Sequence, residues 1–549
     1  MSLNPCSIDL VPQETARVAR AAFPKGNRYM TMRDELGVIY PNALFADLYP
    51  QVGHYGEPPW RLALVTLMQF SENLTDRQAA DAVRGRIDWK YALGLELTDT
   101  GFDFSVLSEF RTRLIGGAAE ERLLTTMLDR FTDRGLLKSR GNQRTDSTHI
   151  VAAVRALNRL EIVGETLHAA LNALAQVAPV WLRAHVTAEW FLRYGKTFSD
   201  YQQPQGKGER QALAETIGRD GRHLLTQIYC DAAPASLREV AAVETLRQVW
   251  VQQFSMEADE LQWRDIKDCP PSSVMIASPY DLDSRYSEKR GQYWRGYKVH
   301  LTETCDDDTP NVIIHVETTM ATDQDVTVID PIHQALEQQS RLPGVHLVDG
   351  AYTSGEKLVT SRHDYQIDLM GPMRQDQSWQ AHDAQAFDIS HFQIDWDQEI
   401  VLCPMGKQSR PWKPSKGPRG KPTLQVSFYR KDCAACGVRE RCTRSTTEAR
   451  GLTLHPKAQH LALQAARERQ QTEHFKEDYK RRAGIEGTMS QAAFAFGMRR
   501  TRYRGLHKTH FHHLATAMAI NLQRFVDWVW EIPRSKTRQS HFARLELAT

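Results

Sequence analysis

Three acids in this chain stand where acids do chemistry. Asp146 lies in "TDSTHI", inside a run whose polar and β-branched residues alternate as in a strand. Asp349 ends the apolar run "VHLVD" and is followed at once by Gly350; ligands collect at the carboxyl ends of strands in α/β sheets. Glu486 is the lone acid of "YKRRAGIEGTMSQ", where helical periodicity puts Tyr479, Arg482 and Glu486 on one face. Singly, each has a plain reading: a turn-starting Asp before glycine, an edge-strand polar residue, and half of a surface ion pair contributing well under ~1 kcal/mol. Gathered together, the three would repel strongly unless divalent cations neutralised them. Mg²⁺ prefers carboxylate oxygens and keeps positions open for phosphate. Two such ions about 4 Å apart activate a water or 3′-hydroxyl and stabilise the leaving oxygen at phosphorus. That is the chemistry of nucleases and strand transfer. Other acids have local explanations: Asp281, Asp283 and Glu288 precede a strand, and Asp323 and Asp325 open a helix whose dipole favours them.

Cys433-x2-Cys436-x5-Cys442, with Cys403 upstream, fits a tetrahedral four-cysteine zinc site better than free thiols, although only one half is a clean C-x2-C. Four thiolates leave no open position, so such an ion would be structural. Cys6, Cys230, Cys269 and Cys305 are scattered and read as packing residues in a chain with no disulfide framework.

The 549 residues carry a net charge of only +2, but unevenly. Residues 401–549 hold 29 Lys and Arg against 11 Asp and Glu, a net of +18, which leaves −16 for the rest. Such asymmetry points to a nucleic-acid surface. Within it, "FGMRRTRYRGLHKTHFHH" sets Arg499, Arg500, Arg502, Arg504 and Lys508 around Tyr503 and reads as a grip on DNA phosphates, with its histidines at the same basic face. The start lacks the charged and apolar regions of a secretion signal, and no run reaches the ~18 apolar residues of a membrane span; a cytoplasmic protein is expected.

The elements that must position these residues follow an α/β order. A helical region (58–135) includes a capping box at Thr75 and Gln78; its short helices fit a helix-turn-helix reader or a plain bundle equally well. A strand at 142–154 is followed by a helical stretch to about 265. Then come strands at 293–304 and 311–321, a helix, the strand 344–352, a helix and a last strand. This predicts a mixed sheet, antiparallel first and parallel later. A Pro/Gly/Lys-rich insert carries the cysteines, and a long helical region (456–530) closes the fold.

The order "TDSTHI", "HLVDGAY", "YKRRAGIEGTMSQ" on these elements resembles the DDE transposases of bacterial insertion sequences, and "GEPPWRLALVTLMQFSENLTDRQAADAVRGRIDWKYALGL" is similar to the N-terminal domain of one such group. The resemblance implies an α/β fold with an RNase H-like mixed-sheet core. It divides the chain into a helical DNA-binding domain (1–140), the first core strand (141–159), a helical insertion (160–270), the main core (271–373), the cysteine insert (374–455), the acidic and closing helices (456–530) and a basic tail (531–549). It implies that Asp146, Asp349 and Glu486 bind two Mg²⁺ ions, for which Mn²⁺ substitutes. Arg482 would pair with the glutamate or a phosphate, and Tyr479 would contact DNA. The partners would be double-stranded DNA and a second copy of the chain, in a nucleoid-associated complex. Where the family pattern places a lysine, this chain has Ala493; Arg499, Arg500 or Lys508 would have to replace it. That departure keeps open a descendant that binds DNA without cutting. A metal-dependent nuclease without strand transfer shares the same acids.

Overall fold

A computed structural model describes residues 2–3, 10–198, 203–258 and 260–533; Cys6 and most of the basic tail lie outside the described residues. The organising element is a curled mixed sheet. Its first strand, Arg140–Val151, pairs antiparallel with Gln292–Thr304 on one side and parallel with Pro343–Val348 on the other. Ile313–Met320 extends the antiparallel side and Asp368–Met370 the parallel side. The antiparallel-then-parallel order expected from the sequence is therefore present. The crossover helices Ile329–Gln338 and Gly355–Tyr365 run where the periodicity predicts them.

One face of the first strand meets the crossover side, where Thr145 Oγ1 lies 2.7 Å from His346 Nε2 and His346 Nδ1 lies 2.9 Å from His333 Nε2. The alternate residues Arg144 and Asp146 face the helices near the end of the chain, as a strand's period of two requires.

The helical region expected at the chain end is broken into several pieces. Helix Lys457–Arg469 is followed by Glu473–Tyr479, a tight 3₁₀ turn Lys480–Ala483, the acidic helix Gly484–Ser490 and a π turn Gln491–Ala495. Only then does the 24-residue closing helix Leu506–Val529 begin. This helix is buried along most of its length because it runs between the sheet and the N-terminal helices. Phe511 meets Phe70 edge-on and Phe525 stacks on Phe131. One apolar core thus joins residues as distant as Trp60, Val299, Val316 and Met518, and the N-terminal helices do not form a core apart from the sheet. The predicted capping box at Thr75 is present. The two short helices read as a DNA-reading pair are Asp76–Gly85 and Ser105–Gly116. Helix Ile87–Leu93 separates them, and Arg111 of the second is spent on Asp76 of the first at 2.8 Å; they sit as members of a bundle.

The helical insertion has its own core around Leu160, Leu167, Leu224 and Trp250. The cysteine insert is more regular than its composition predicts. Strands Lys413–Lys416, Pro422–Ser427 and Gly451–Leu454 form one small sheet and Gln393–Asp395 with Ile400–Leu402 another. One core element has no counterpart in the sequence reading: Arg285–Lys289 pairs with the start of the long second strand to make a hairpin. Its polar sequence, RYSEK, hid it.

Candidate active site

The parallel ladder between the first strand and Pro343–Val348 ends at the pair Thr145–Val348. The next residue along each segment is a candidate acid, Asp146 still on the first strand and Asp349 just past the end of its own, so two acids from distant sequence sit side by side at the end of the parallel ladder. Asp349 also serves its turn, accepting the Ala351 N–H at 2.8 Å; the plain reading and the functional one coexist there.

The third acid arrives on Arg482. Its Nη2 lies 2.7 Å from Asp146 Oδ2 and its Nη1 3.3 Å from Glu486 Oε1. The carboxylate of Asp349 adds to the negative field that raises the Arg482 pKa, although burial opposes it. Arg482 thus pairs with two of the acids, Asp146 and Glu486, while Asp349 acts on it through its charge alone. Burial raises the Asp146 carboxyl, Arg482 and the Ser147 N–H oppose that rise, and Asp349 adds to it. Tyr479 stacks on Phe475 and donates to the Val348 carbonyl at 3.1 Å, which fixes the turn beside Asp349. Glu486 itself is 68 % exposed, free to move toward its neighbours.

Beneath the acidic helix lies an assembly that the sequence did not reveal. Glu303, on the second strand, is completely buried. Its Oε1 accepts Arg144 Nε at 2.7 Å, and its Oε2 accepts Arg524 Nη1 and Thr488 Oγ1, each at 2.7 Å. Burial alone would raise this carboxyl, but Arg524, Arg144 and Thr488 hold it below the usual glutamate range. Arg144 also donates to the Arg481 carbonyl. Glu303 therefore ties the strand of Asp146, the helix of Glu486 and the closing helix at one point. Its only sequence signal was an acid in an otherwise buried strand, "KVHLTET".

The basic segment divides in two. Arg500, Arg504 and Lys508 are exposed. Arg499 binds Thr148 Oγ1 at 3.0 Å on the first strand, Arg502 donates to the Leu74 carbonyl and lies over Phe70, and Tyr503 accepts Arg111 Nη1 at 2.8 Å. These three dock the segment onto the strand and the N-terminal helices. His512 and His513 are interior, not at a basic face as expected. Asp281 and Asp283 accept the Gly505 and Leu506 amides and so hold the start of the closing helix. Asp325 does more than open a helix: it takes Lys298 at 3.0 Å and Ser147 Oγ at 3.3 Å, next to Asp146. Ala493 is half-buried on the π turn.

Among the described residues, no group of three or more His, Cys, Asp or Glu side chains is set to hold a metal ion. The oxygen-only donors Asp146, Asp349 and Glu486 suit a hard cation, and the Arg482 guanidinium lies between two of them. In the insert, Cys403, Cys433, Cys436 and Cys442 come near one another. Burial raises the Cys442 thiol, Arg450 lowers it, and the other three cysteines raise it further. The Lys407 N–H points at Cys403 Sγ, 3.3 Å away.

Comparison with known families assigns the class. Residues 402–526 match the family described as Transposase DDE domain, and residues 17–113 match Transposase domain (DUF772). The first match contains Arg482, Glu486 and all four clustered cysteines, whereas neither reaches Asp146 or Asp349. A comparison with curated proteins yields no match. The chain thus carries two regions similar to transposase domains, one of them a DDE domain. Together the two matches indicate a bacterial insertion-sequence DDE transposase.

Proposed function

We propose that the protein binds the terminal inverted repeats of its own element, hydrolyses phosphodiester bonds there and joins the freed 3′-hydroxyls to target DNA. The observation that carries this reading is Arg482 bridging Asp146 and Glu486, with Asp349 one residue past the Thr145–Val348 pair beside Asp146, in a chain that matches a transposase DDE domain. The strand order supports an RNase H-like core. Two Mg²⁺ ions bound by the three carboxylates would activate the attacking hydroxyl and stabilise the leaving oxygen. Arg482 balances the negative charge of the acids before DNA arrives and, once displaced, is positioned for a phosphate. Arg500, Arg504 and Lys508 are the exposed cations of the basic segment and form the DNA grip, while Arg499, Arg502 and Tyr503 hold that segment in place. Two ends require two active sites, hence a dimer in the working complex. Among the described residues no helix is long and apolar enough to cross a membrane.

The test uses purified protein, duplex DNA from both flanks of its gene, and Mg²⁺ or Mn²⁺, with cut strands mapped to the nucleotide. Cuts at a matched inverted pair, absent in Glu486→Gln, support the reading. Pre-cut ends joined to a target distinguish it from a nuclease. Tight flank binding without cutting under either metal would make the protein a DNA binder that has lost catalysis.

We also propose that the four cysteines hold a structural zinc ion. One equivalent of zinc per chain, lost in Cys433→Ser with Cys436→Ser, is the expected result; a zinc-free, equally stable protein would refute it.

A further inference from the structure

The hairpin missed by the sequence reading is built as a tool. Arg285–Lys289 pairs with the first residues of Gln292–Thr304, from Arg285 opposite Gly296 to Lys289 opposite Gln292. The two-residue turn Arg290-Gly291 takes positive φ at both positions, 54° and 76°, the geometry that matches the twist of a two-stranded ribbon. The first strand stops pairing at Val151 opposite Gly296, so the ribbon continues past the end of the sheet. It then bends at Gly296, whose φ of 151° and tight approach to the Ile150 carbonyl exclude a side chain.

The ribbon keeps contact with the first strand beyond the last paired residue. Trp294 packs its ring 4.9 Å from that of His149. Strand alternation sets Lys289 on the same face as Trp294, and the Lys289 charge reaches both His149 and Asp146. The base of the ribbon is anchored: Arg285 donates to the Ser273 carbonyl at 2.9 Å and Arg295 to the Leu157 carbonyl at 2.6 Å. The tip is not. The Lys289 and Arg290 side chains are exposed and make no hydrogen bond or ion pair among the described residues. On the opposite face Tyr286 and Tyr293, 41 % and 61 % exposed, stack on each other at 5.7 Å and 14°. Exposed aromatics on a basic ribbon suit DNA, whose phosphates take the cations and whose bases and sugars take the rings. A two-stranded ribbon also fits the major groove.

We propose that residues 285–296 form a DNA-binding ribbon that grips the duplex beside the scissile phosphate, with Lys289 supplying the cation that the acidic helix lacks at Ala493. This rests on the transposase reading and adds a partner surface to its site. It separates the work among the cations: the tip of the ribbon holds phosphates at the cut, and Arg500, Arg504 and Lys508 hold the flanking duplex.

The test is a salt titration of full-length protein binding to labelled flank duplex with Ca²⁺ in place of Mg²⁺, accompanied by hydroxyl-radical footprints. In Lys289→Gln with Arg290→Gln, the slope of log K against log salt should fall by about 2, near one unit per lost phosphate contact. Protection should vanish next to the cut site and persist further out. Tyr286→Ala with Tyr293→Ala should weaken binding about tenfold or more with the slope unchanged. Lys289→Arg should keep the slope. All these side chains are exposed, so thermal melting should match wild type. Flank binding by the wild type with the same slope and footprint in the Lys289/Arg290 variant overturns the ribbon's role alone. No flank binding by the wild type overturns both the ribbon and the transposase reading.

Discussion

Two arginine–carboxylate clusters lie on opposite faces of the acidic helix, and they have been built for different ends. Thr488 turns inward to Glu303, which is wholly enclosed and has Arg144 and Arg524 at its two oxygens. Two residues earlier, and so on the opposite face, Glu486 turns outward to Arg482, which it shares with Asp146. In the inner cluster every carboxylate oxygen is satisfied by the protein. In the outer one the third carboxylate is solvent-exposed, its single guanidinium is shared, and the oxygens left over can accept a cation or face a phosphate. The difference teaches how this fold holds an open, negatively charged site without losing the helix that carries part of it. Sealed charge fixes the backbone, and open charge is left for chemistry.

Breaking the inner cluster should have the largest effect on stability. Glu303→Ala leaves Arg144 and Arg524 buried without their counter-charge, and chemical denaturation should register a loss of about 3–5 kcal/mol. Acidification comes next. Burial keeps His300 and His333 neutral down to about 4 and His512 to about 3, and it also holds His346 and His513 well below the usual histidine range. The unfolded chain takes up these protons near pH 6.5, whereas the folded chain resists. The stability they contribute is therefore full above about pH 6.5 and is lost as pH falls toward 4. Each contributes up to about 1.4 kcal/mol per pH unit across that window, so melting temperature should drop steeply between pH 7 and pH 5. His510 acts in the opposite sense: burial lowers its pKa, but Glu121 at 2.8 Å overcomes this and raises it. Its contribution is present below about pH 6.5 and is lost as pH rises through the higher folded value. Comparing Glu121→Gln with wild type across pH should isolate that term.

A finer cut through the same helix is Thr488→Val. It removes the hydroxyl that bridges Glu303 and Arg524 at 2.7 and 2.6 Å and should cost about 1–2 kcal/mol by denaturant titration. Glu486→Gln, one half-turn away, should cost below about 0.5 kcal/mol because its ion pair is exposed. Yet it should abolish metal-dependent cleavage in the mapped-cut assay. A large stability loss in Glu486→Gln, or a neutral Glu303→Ala, would erase the distinction between the clusters.

Much of the site was legible because its signals are local. The spacing of Tyr479, Arg482 and Glu486 gave one helix face, and although a tight turn at Lys480–Ala483 interrupts the helix, Arg482 still meets Glu486. The alternation around Asp146 and the apolar run before Asp349 marked two strands, and the sheet order followed from the sequence of elements. What stayed hidden was partner choice. Arg499, Arg502 and Tyr503 look as available for DNA as Arg500, Arg504 and Lys508 in the sequence, but the fold spends the first three on the strand, Leu74 and Arg111.

The sequence by itself determined the periodicities, the caps, the charge asymmetry and the residue types able to bind a divalent cation. These depend on neighbours within a few positions, where backbone geometry alone decides who faces whom. Only the tertiary structure decided that Thr145 pairs with Val348 and so sets Asp146 beside Asp349. It also decided that Glu303 gathers three elements and that a polar ribbon leaves the sheet at Gly296 with Trp294 against His149 of the first strand. Strand register and the burial of a charge are set by contacts between residues hundreds of positions apart, and their energies appear only when the whole core closes.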